Sequence, residues 1–415
     1  MGEDMTSWDI VVVGAGAAGL MAAIRAAELG RRVLVLEKNR KAGVKILMSG
    51  GTRCNLTHAT DNRGIVEAFG TPGRFLHSAL AAFSVQDTVE WFESAGVATK
   101  VEETGKIFPV SNKALDVLDA LLRRLHDSGA RLSPAEPLLD LQPCSPGFAL
   151  TTPERVLRVA RVILTTGGQS YPGCGTTGDG YAITSRLGHT IVPPRPALVP
   201  VKVAVPWVAE LRGITLPDAA VRVIEDGKTR AARRGSLLFA HFGLSGPVIL
   251  DISRVISGHA RPETLTLEVD LSPALAEAAL DELLRVETAA SGKKQLAAVL
   301  PEHLPRRLCE ALLSVAGLPR ERKAAALSRT ERLRLVAAIK HVRLPVAGTL
   351  GFAKAEVTAG GVALDEVDSR TLRSKRVPDL FLAGELLDLD GPIGGYNFQA
   401  AWSTGWLAGQ TAAAE

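Results

Sequence analysis

The chain has little to offer a disulfide framework or a metal centre. Cysteine occurs four times in 415 residues, as Cys54, Cys144, Cys174 and Cys309, far apart and without CxxC spacing, which excludes a recognisable zinc cluster or stapled scaffold. No metal ligand set is expected, and a reducing, cytoplasmic setting is. Charge of one sign is scarce as well: 48 Lys and Arg against 44 Asp and Glu leave a formal net charge of +4, with no long basic block to follow a phosphate backbone. A small molecule is therefore expected as the partner, and nucleic acid is not. No uninterrupted apolar run approaches the roughly 20 residues that cross a bilayer, and the opening MGEDMTSWDI is acidic where a signal core would be apolar. No membrane association is expected. Fixed-period repeats and low-complexity stretches are missing too. The length points to two or three domains, and the oligomeric state is not legible.

What is present begins with DIVVVGAGAAGLMAAIRAAELGRRVLVLEK, Asp9 to Lys38. The apolar run Asp9 to Val13 suits a strand buried on both faces, Ala17 to Leu29 is rich in helix formers, Gly30 stops the helix, and Val33 to Leu36 form a second strand. Gly14-x-Gly16-x-x-Gly19 lies at the turn between strand and helix, and Glu37 ends the second strand at the spacing of a dinucleotide-binding fingerprint. Gly14 allows the tight turn, Gly16 lets a pyrophosphate approach the backbone, and Gly19 lets helix pack on strand. The helix N-terminus is an anion site, and Glu37 can take a ribose diol while repelling a 2′-phosphate. No second fingerprint occurs, so if this site holds FAD, a nicotinamide donor has to bind transiently on other surfaces.

Amphipathic helices are expected over FSVQDTVEWFESAG and KALDVLDALLRRLHDSGA, and a buried strand over Arg158 to Gly168. Five prolines between Pro193 and Pro206 mark a boundary. Alternating β patterns follow, with Asp226-Gly227 as a hairpin turn. From Ser272 to about Arg343 the pattern is helical, with Ser272-Pro273 as a cap and first-turn pair and Ser328-x-x-Glu331 as a capping box. From Thr349 strands and glycine turns return, ending in a helix over Phe398 to Gly409. The expected organisation is a Rossmann-like domain in two parts, 1–194 and 346–415, around a β-rich insertion, 195–271, and a helical subdomain, 272–345.

The stretches GAGAAGLMAA, ILMSGGTRCNLT, GKIFPVSNKALDVLDALL, TTGGQSYPGCGTTGDGYAI, HFGLSGPVIL, AEVTAGGV and FLAGELLDLDGPIGGYNFQAAWSTG resemble the BaiN/RdsA-type, or YhiN-like, bacterial NAD(P)/FAD-dependent oxidoreductases along nearly the whole chain. The resemblance implies an α/β fold: a split Rossmann-like FAD-binding domain of the two-dinucleotide-binding-domain type with an inserted antiparallel β domain and a helical subdomain. It implies FAD as cofactor, NAD(P)H as transient electron donor, and an organic acceptor; some members are assigned reduction of carbon–carbon double bonds in steroid-like enones. An FAD-dependent oxidase or monooxygenase, or a non-catalytic flavin-binding redox sensor or interaction protein, are the alternatives. The implied cofactor contacts come from Gly14, Ala15, Gly16, Ala17, Ala18 and Gly19, then Glu37 and Lys38, and then the loop with Lys45, Ser49, Gly50, Gly51, Arg53, Cys54 and Asn55. Leu138, the turn Thr166, Gly167 and Gly168, the pair Gly384 and Glu385, and the run Gly395, Tyr396, Asn397, Phe398 and Gln399 complete the set.

The family commonly reads SGGGRCN where this chain has Thr52. A threonine favours ordinary φ, so position 52 is expected not to need the left-handed region. Arg53 has two readings, a phosphate or flavin ligand and a surface ion pair. Cys54 could be a reactive thiol or a small packed side chain; with no resolving cysteine nearby, packing is favoured. His241, in AHFGLSGP, could donate a proton to substrate or serve the inserted domain structurally, and Tyr171 and Tyr396 are alternative donors. Cys174 is read as a small loop residue, and Pro392 and Trp402 as packing elements.

Overall fold

The computed structural model describes residues 8–300 and 304–414; residues 1–7, 415 and 301–303, the last inside the stretch expected to be helical, lie outside them. The described chain divides into two compact units, 1–196 with 355–415, and 197–354. The first is built on a five-stranded parallel sheet in the order Leu380–Leu382, Arg161–Leu164, Ile10–Val13, Val33–Glu37, Arg131–Pro134. The central strands, IVVV and VLVLE, are buried at every position, as strands sandwiched between helix layers must be. The helix Ala17–Glu28 covers one face, and the final helix, Tyr396–Ala414, lies against it. Gly405 and Gly409 make that contact close: a Cβ on either would stand 2.2 Å from the carbonyl oxygen of Ala18 or Ala22. This last helix runs five residues beyond the expected end at Gly409, because its apolar surface is buried along its length.

The expected strand Arg158 to Gly168 is two strands, Val156–Val159 in a small antiparallel sheet and Arg161–Leu164 in the parallel one. A period-2 pattern cannot reveal that a chain changes sheets between them at Ala160.

In the second unit six strands close into a barrel, in the order Val201–Val203, Gly243–Ser245, Lys228–Ala240, Thr215–Glu225, Thr266–Asp270, Val342–Thr349. Asp226 and Gly227 both have positive φ, 48° and 75°, in the two-residue hairpin that pairs Glu225 with Lys228, which is the turn chemistry a tight hairpin asks for. The helices Glu277–Ala290, Arg306–Val315 and Arg329–Lys340 share one apolar core with the barrel, including Leu280, Leu308, Leu335, Val221 and Leu267. Ser328 and Glu331 form the expected capping box. Ser272-Pro273 does not start a helix: the helix begins at Glu277, and the Ser272 carbonyl instead accepts a bond of 2.9 Å from the buried Lys340 Nζ. A local cap signal lost there to a long-range partner.

Candidate functional site

The turn after Val13 is held from two sides. Gly14 N donates to Leu36 O at 2.8 Å, and Thr165 Oγ1, at the end of the neighbouring strand, donates to Val13 O and Gly14 O at 2.9 and 3.0 Å. Gly14 has φ 101°, and an added Cβ would be 2.7 Å from Thr165 O; at Gly19 it would be 1.8 Å from Gly14 O. At Gly16 it would meet nothing within 4 Å. Two glycines are therefore packed against protein and the one between them faces open space, the division of labour a bound pyrophosphate needs. Gly16 also caps the helix Ala17–Glu28 with no side-chain acceptor, which leaves the first N–H groups of that helix, Ala17 and Ala18 among them, to an anion.

Glu37 is buried beside this turn. Its carboxylate accepts from Ala15 N and from Asn39 N, both at 2.8 Å, and each oxygen keeps a lone pair for a further donor. Lys38 reaches across to Thr177 Oγ1 at 2.6 Å and Asp179 at 2.5 Å, while Asn39 Nδ2 donates to Cys174 O at 2.9 Å. Burial opposes the charge on Asp179, but the bonds from Lys38 and Thr177 outweigh it and hold the carboxyl below the usual range. The segment after Thr166, Gly167 and Gly168 is thus fastened to the end of the second strand.

A second cluster joins four segments. Glu385 pairs with Lys45, accepts from Ser170 Oγ and from Thr358 N, both at 2.8 Å, and Lys45 Nζ also donates to Ser170 Oγ at 2.7 Å. Gly384, with φ 72°, sets Glu385 there while its N–H donates to Thr404 Oγ1 of the last helix at 3.0 Å. Tyr181, whose hydroxyl donates to Glu385 O at 3.4 Å, is pushed up by burial and by the charges of Glu385 and Asp388. Asn39 carries no sequence motif, and Ser170 and Thr358, inside TTGGQSYPGCGTTGDGYAI and AEVTAGGV, gain individual roles only through these contacts.

The loop Ser49 to Asn55 departs most from expectation. Gly50, Gly51 and Thr52 all take left-handed geometry, with φ 55°, 67° and 69°, and Cys54 follows at φ 58°. Position 52 therefore does require the region that a β-branched residue avoids, contrary to the inference from its side chain. Thr52 Oγ1 donates to Gly51 O at 2.6 Å, a local bond that partly offsets the steric cost. Arg53 binds Glu102 at 2.7 Å and lies 4.0 Å above the Phe108 ring. Cys54 is fully buried, and burial pushes its thiol up to about 12 against a bond from Ser49, so packing is the reading it takes. Two buried acceptors find no protein donor, Asn55 Oδ1 and Thr166 Oγ1. Both lie on loops expected to line the cofactor, where ligand hydroxyl or amide hydrogens would satisfy them.

At the far glycine loop, Asn397 braces Gly391 through bonds of 2.8 and 3.0 Å. Gln399 is fully buried, and its amide is used by Thr57, Thr88, Ser403 and the Ser84 carbonyl at 2.6 to 3.2 Å; it holds the fold together and has no capacity left for a ligand. Phe398 stacks on Trp402 at 5.3 Å, and Trp402 Nε1 donates to Leu56 O at 2.9 Å. Leu138 is half-buried against the core. Tyr171 has φ 55° and precedes a short turn holding the buried Cys174. His241 is exposed at a barrel turn in the second unit, edge-on to Phe242 at 5.0 Å.

The family described as HI0933-like protein Rossmann domain matches residues 8–411. The chain belongs to this family. It is 32% identical over 406 residues to the ribosomal RNA dihydrouridine synthase of Escherichia coli, covering 98% of both chains. It is 32% identical over 407 residues to the 3-dehydro-bile acid delta(4,6)-reductase of Clostridium scindens, covering 97% of this chain and 98% of the relative. Membership in the HI0933-like family places the chain among oxidoreductases. The fold is similar to the 3-ketosteroid-delta4-(5alpha)-dehydrogenase of Rhodococcus jostii, with TM-score 0.51 and 17% identity over 99% of this chain and 98% of that one. The E. coli quinol fumarate reductase subunit FrdA is similar at TM-score 0.51 and 16% identity, over 99% of this chain and 71% of that one. Among the described residues no helix is long and apolar enough to cross a membrane, and no group of three or more His, Cys, Asp or Glu could hold a metal ion.

Proposed function

We propose that this HI0933-like protein binds FAD in its first unit and uses it to reduce a carbon–carbon double bond conjugated to a carbonyl, with NAD(P)H as donor. The observation that carries the reading is the open face at Gly16, between two glycines closed by protein and beside the buried Glu37. Bound FAD would supply two-electron hydride chemistry. The uncapped helix N-terminus at Ala17 would bind its phosphates, Glu37 a ribose diol, and Asn55 and Thr166 would accept hydrogen bonds from it. Lys45 and Glu385, fastened through Ser170 and Thr358, would hold the loops around it in one geometry. In balance, the double bond gains a hydride from the dihydronicotinamide at its β carbon and a proton at its α carbon, and NAD(P)⁺ leaves.

The bile acid reductase and the dihydrouridine synthase differ in the molecule that carries the double bond. A small unsaturated ketone is the first reading. A uracil base in RNA is the second, and it is favoured by the charge of the inserted unit: residues 197–354 hold 23 Lys and Arg against 16 Asp and Glu. The test is anaerobic mixing of the purified yellow protein with NADH and NADPH, followed by a 3-keto-4-ene steroid or a uridine-containing RNA, with the flavin band monitored. Bleaching by a nicotinamide and recovery on one acceptor is the expected result, and the acceptor that restores the band chooses between the readings. A flavin that neither NADH nor NADPH bleaches would refute the nicotinamide reductase. Protein that takes up no FAD would refute the site.

A further inference from the structure

We propose that His58 is the acid that gives the α-carbon proton in the reduction described above, an inference that rests on that reading. The reaction needs a proton donor beside the reacting atoms, and the imidazole singled out by sequence, His241, belongs to the inserted unit. The first unit has four described histidines. His77 and His126 are exposed on helices, and the buried His189 is bound to Ser374 and Glu366. His58 alone sits between two of the loops expected to line the cofactor.

The strand Thr57–His58 follows directly on the loop Ser49 to Asn55 and lies against the glycine turn that opens the last helix. A Cβ on Gly395 would stand 2.4 Å from Thr57 O, and one on Gly394 would stand 3.3 Å from His58 Nδ1. His58 Nδ1 is 3.0 Å from Gly394 O. A carbonyl oxygen only accepts, so Nδ1 carries the proton, and the neutral ring has its lone pair on Nε2. The ring stacks on Tyr396 with centroids 4.6 Å apart and planes 21° apart, which fixes its orientation.

The ring also lies against the turn at Gly105, where an added Cβ would stand 2.7 Å from Nε2 and 2.9 Å from Cε1, and no side chain among the described residues hydrogen-bonds Nε2. Lys106 is the cross-strand partner of His58, and Glu102 on the same hairpin is engaged by Arg53. One ring nitrogen is thus committed to the backbone and the other is available to take up and release a proton. When the double bond receives its hydride at the β carbon, the Nε2–H bond of the protonated ring breaks and a C–H bond forms at the α carbon. The electron pair stays on Nε2, which solvent then reprotonates.

The test separates the two half-reactions in holoenzyme. His58→Gln keeps a donor for Gly394 O but cannot deliver a proton. With the acceptor that reoxidises wild type, the variant is expected to retain FAD and to be bleached by NAD(P)H within about twofold of the wild-type rate, while reoxidation slows by about 10²- to 10⁴-fold. In His58→Ala, free imidazole is expected to restore part of the reoxidation rate, which a purely structural role would not allow. A readout independent of turnover is the NMR signal of ¹³Cε1-labelled His58, expected to shift when FAD is added to apoprotein. Reoxidation of His58→Gln within about threefold of wild type, or a His58 signal unmoved by FAD, overturns the proposal while leaving the reductase reading intact. Should His58→Gln release FAD, imidazole rescue of His58→Ala and the wild-type NMR experiment decide. Wild type that is not reoxidised by any conjugated carbonyl sinks the reductase reading and the proposal with it.

Discussion

Thr52 pays a steric cost in the middle of a loop that otherwise uses glycine. A β-branched side chain in left-handed geometry crowds the backbone by roughly 1–2 kcal/mol, whereas glycine there loses only chain entropy, about 0.4–1 kcal/mol. Thr52→Gly is therefore expected to raise stability by up to about 1 kcal/mol, seen as a higher urea midpoint at unchanged slope; a lower midpoint would show that the Thr52 hydroxyl bond to Gly51 outweighs the strain. Two positions on, Cys54 is buried with its thiol pushed up to about 12, and Cys309 is pushed up to about 11, also by burial. Both should resist thiol reagents at neutral pH until the protein unfolds, while the partly exposed Cys144 reacts in the native state. Mass spectrometry after a timed alkylation checks this, and early modification of Cys54 would reopen its redox role. These outcomes were half legible: the glycine-rich composition of SGGTRCNLT announced an unusual backbone, but only the fold around it decided that Thr52 shares that geometry.

Strands and helices are tied together in the first unit by a buried polar knot. His189 Nε2 is 2.8 Å from Ser374 Oγ, which also accepts from Arg376 N and Val377 N at 3.1 and 2.9 Å. With two donors already on that oxygen, the hydroxyl hydrogen points to Nε2, and Nδ1–H faces Glu366 at 3.3 Å. Burial pushes His189 down despite the neighbouring carboxylate. Burial works against the charge on Glu366 as well, but the bonds from Arg376 and Thr190 prevail and hold it at about 2. The signs agree. A histidine held down binds fewer protons folded than unfolded, so its stabilisation is complete above about pH 6.5 and is lost as pH falls from there through its lowered folded value. The Glu366 contribution is present above its ordinary value of 4.5 and is lost as pH falls toward about 2. Thermal melts should therefore weaken between about pH 7 and 5 in wild type and less so in His189→Gln; parallel curves would refute the assignment. Residues 189, 366 and 374 are too far apart in sequence for any local pattern to have joined them.

At the scale of the molecule, the inserted unit leaves the first after the strand Ile191–Ala197 and returns before Val357–Val362, and these two strands pair with each other. The backbone is close there: a Cβ on Gly360 would lie 2.5 Å from Pro193 O. Replacing residues 197–354 by a short glycine-rich linker should thus leave a folded first unit that melts cooperatively and takes up FAD; a product without a cooperative transition would show that the unit depends on the insertion. The strand–turn–helix–strand at the N-terminus, the hairpin at Asp226-Gly227 and the capping box at Ser328 were all set by sequence alone, because each depends on residues a few positions apart whose backbone preferences and hydrogen bonds are local. The separation of Val156–Val159 from Arg161–Leu164, the loss of the cap at Ser272 to Lys340, and the meeting of Lys45, Ser170, Thr358 and Glu385 were decided only by tertiary structure. The same holds for His58, whose tautomer is set by a carbonyl 336 positions along the chain. In each of these the deciding partner is remote in sequence, and burial makes a satisfied long-range hydrogen bond worth more than the local preference it overrides.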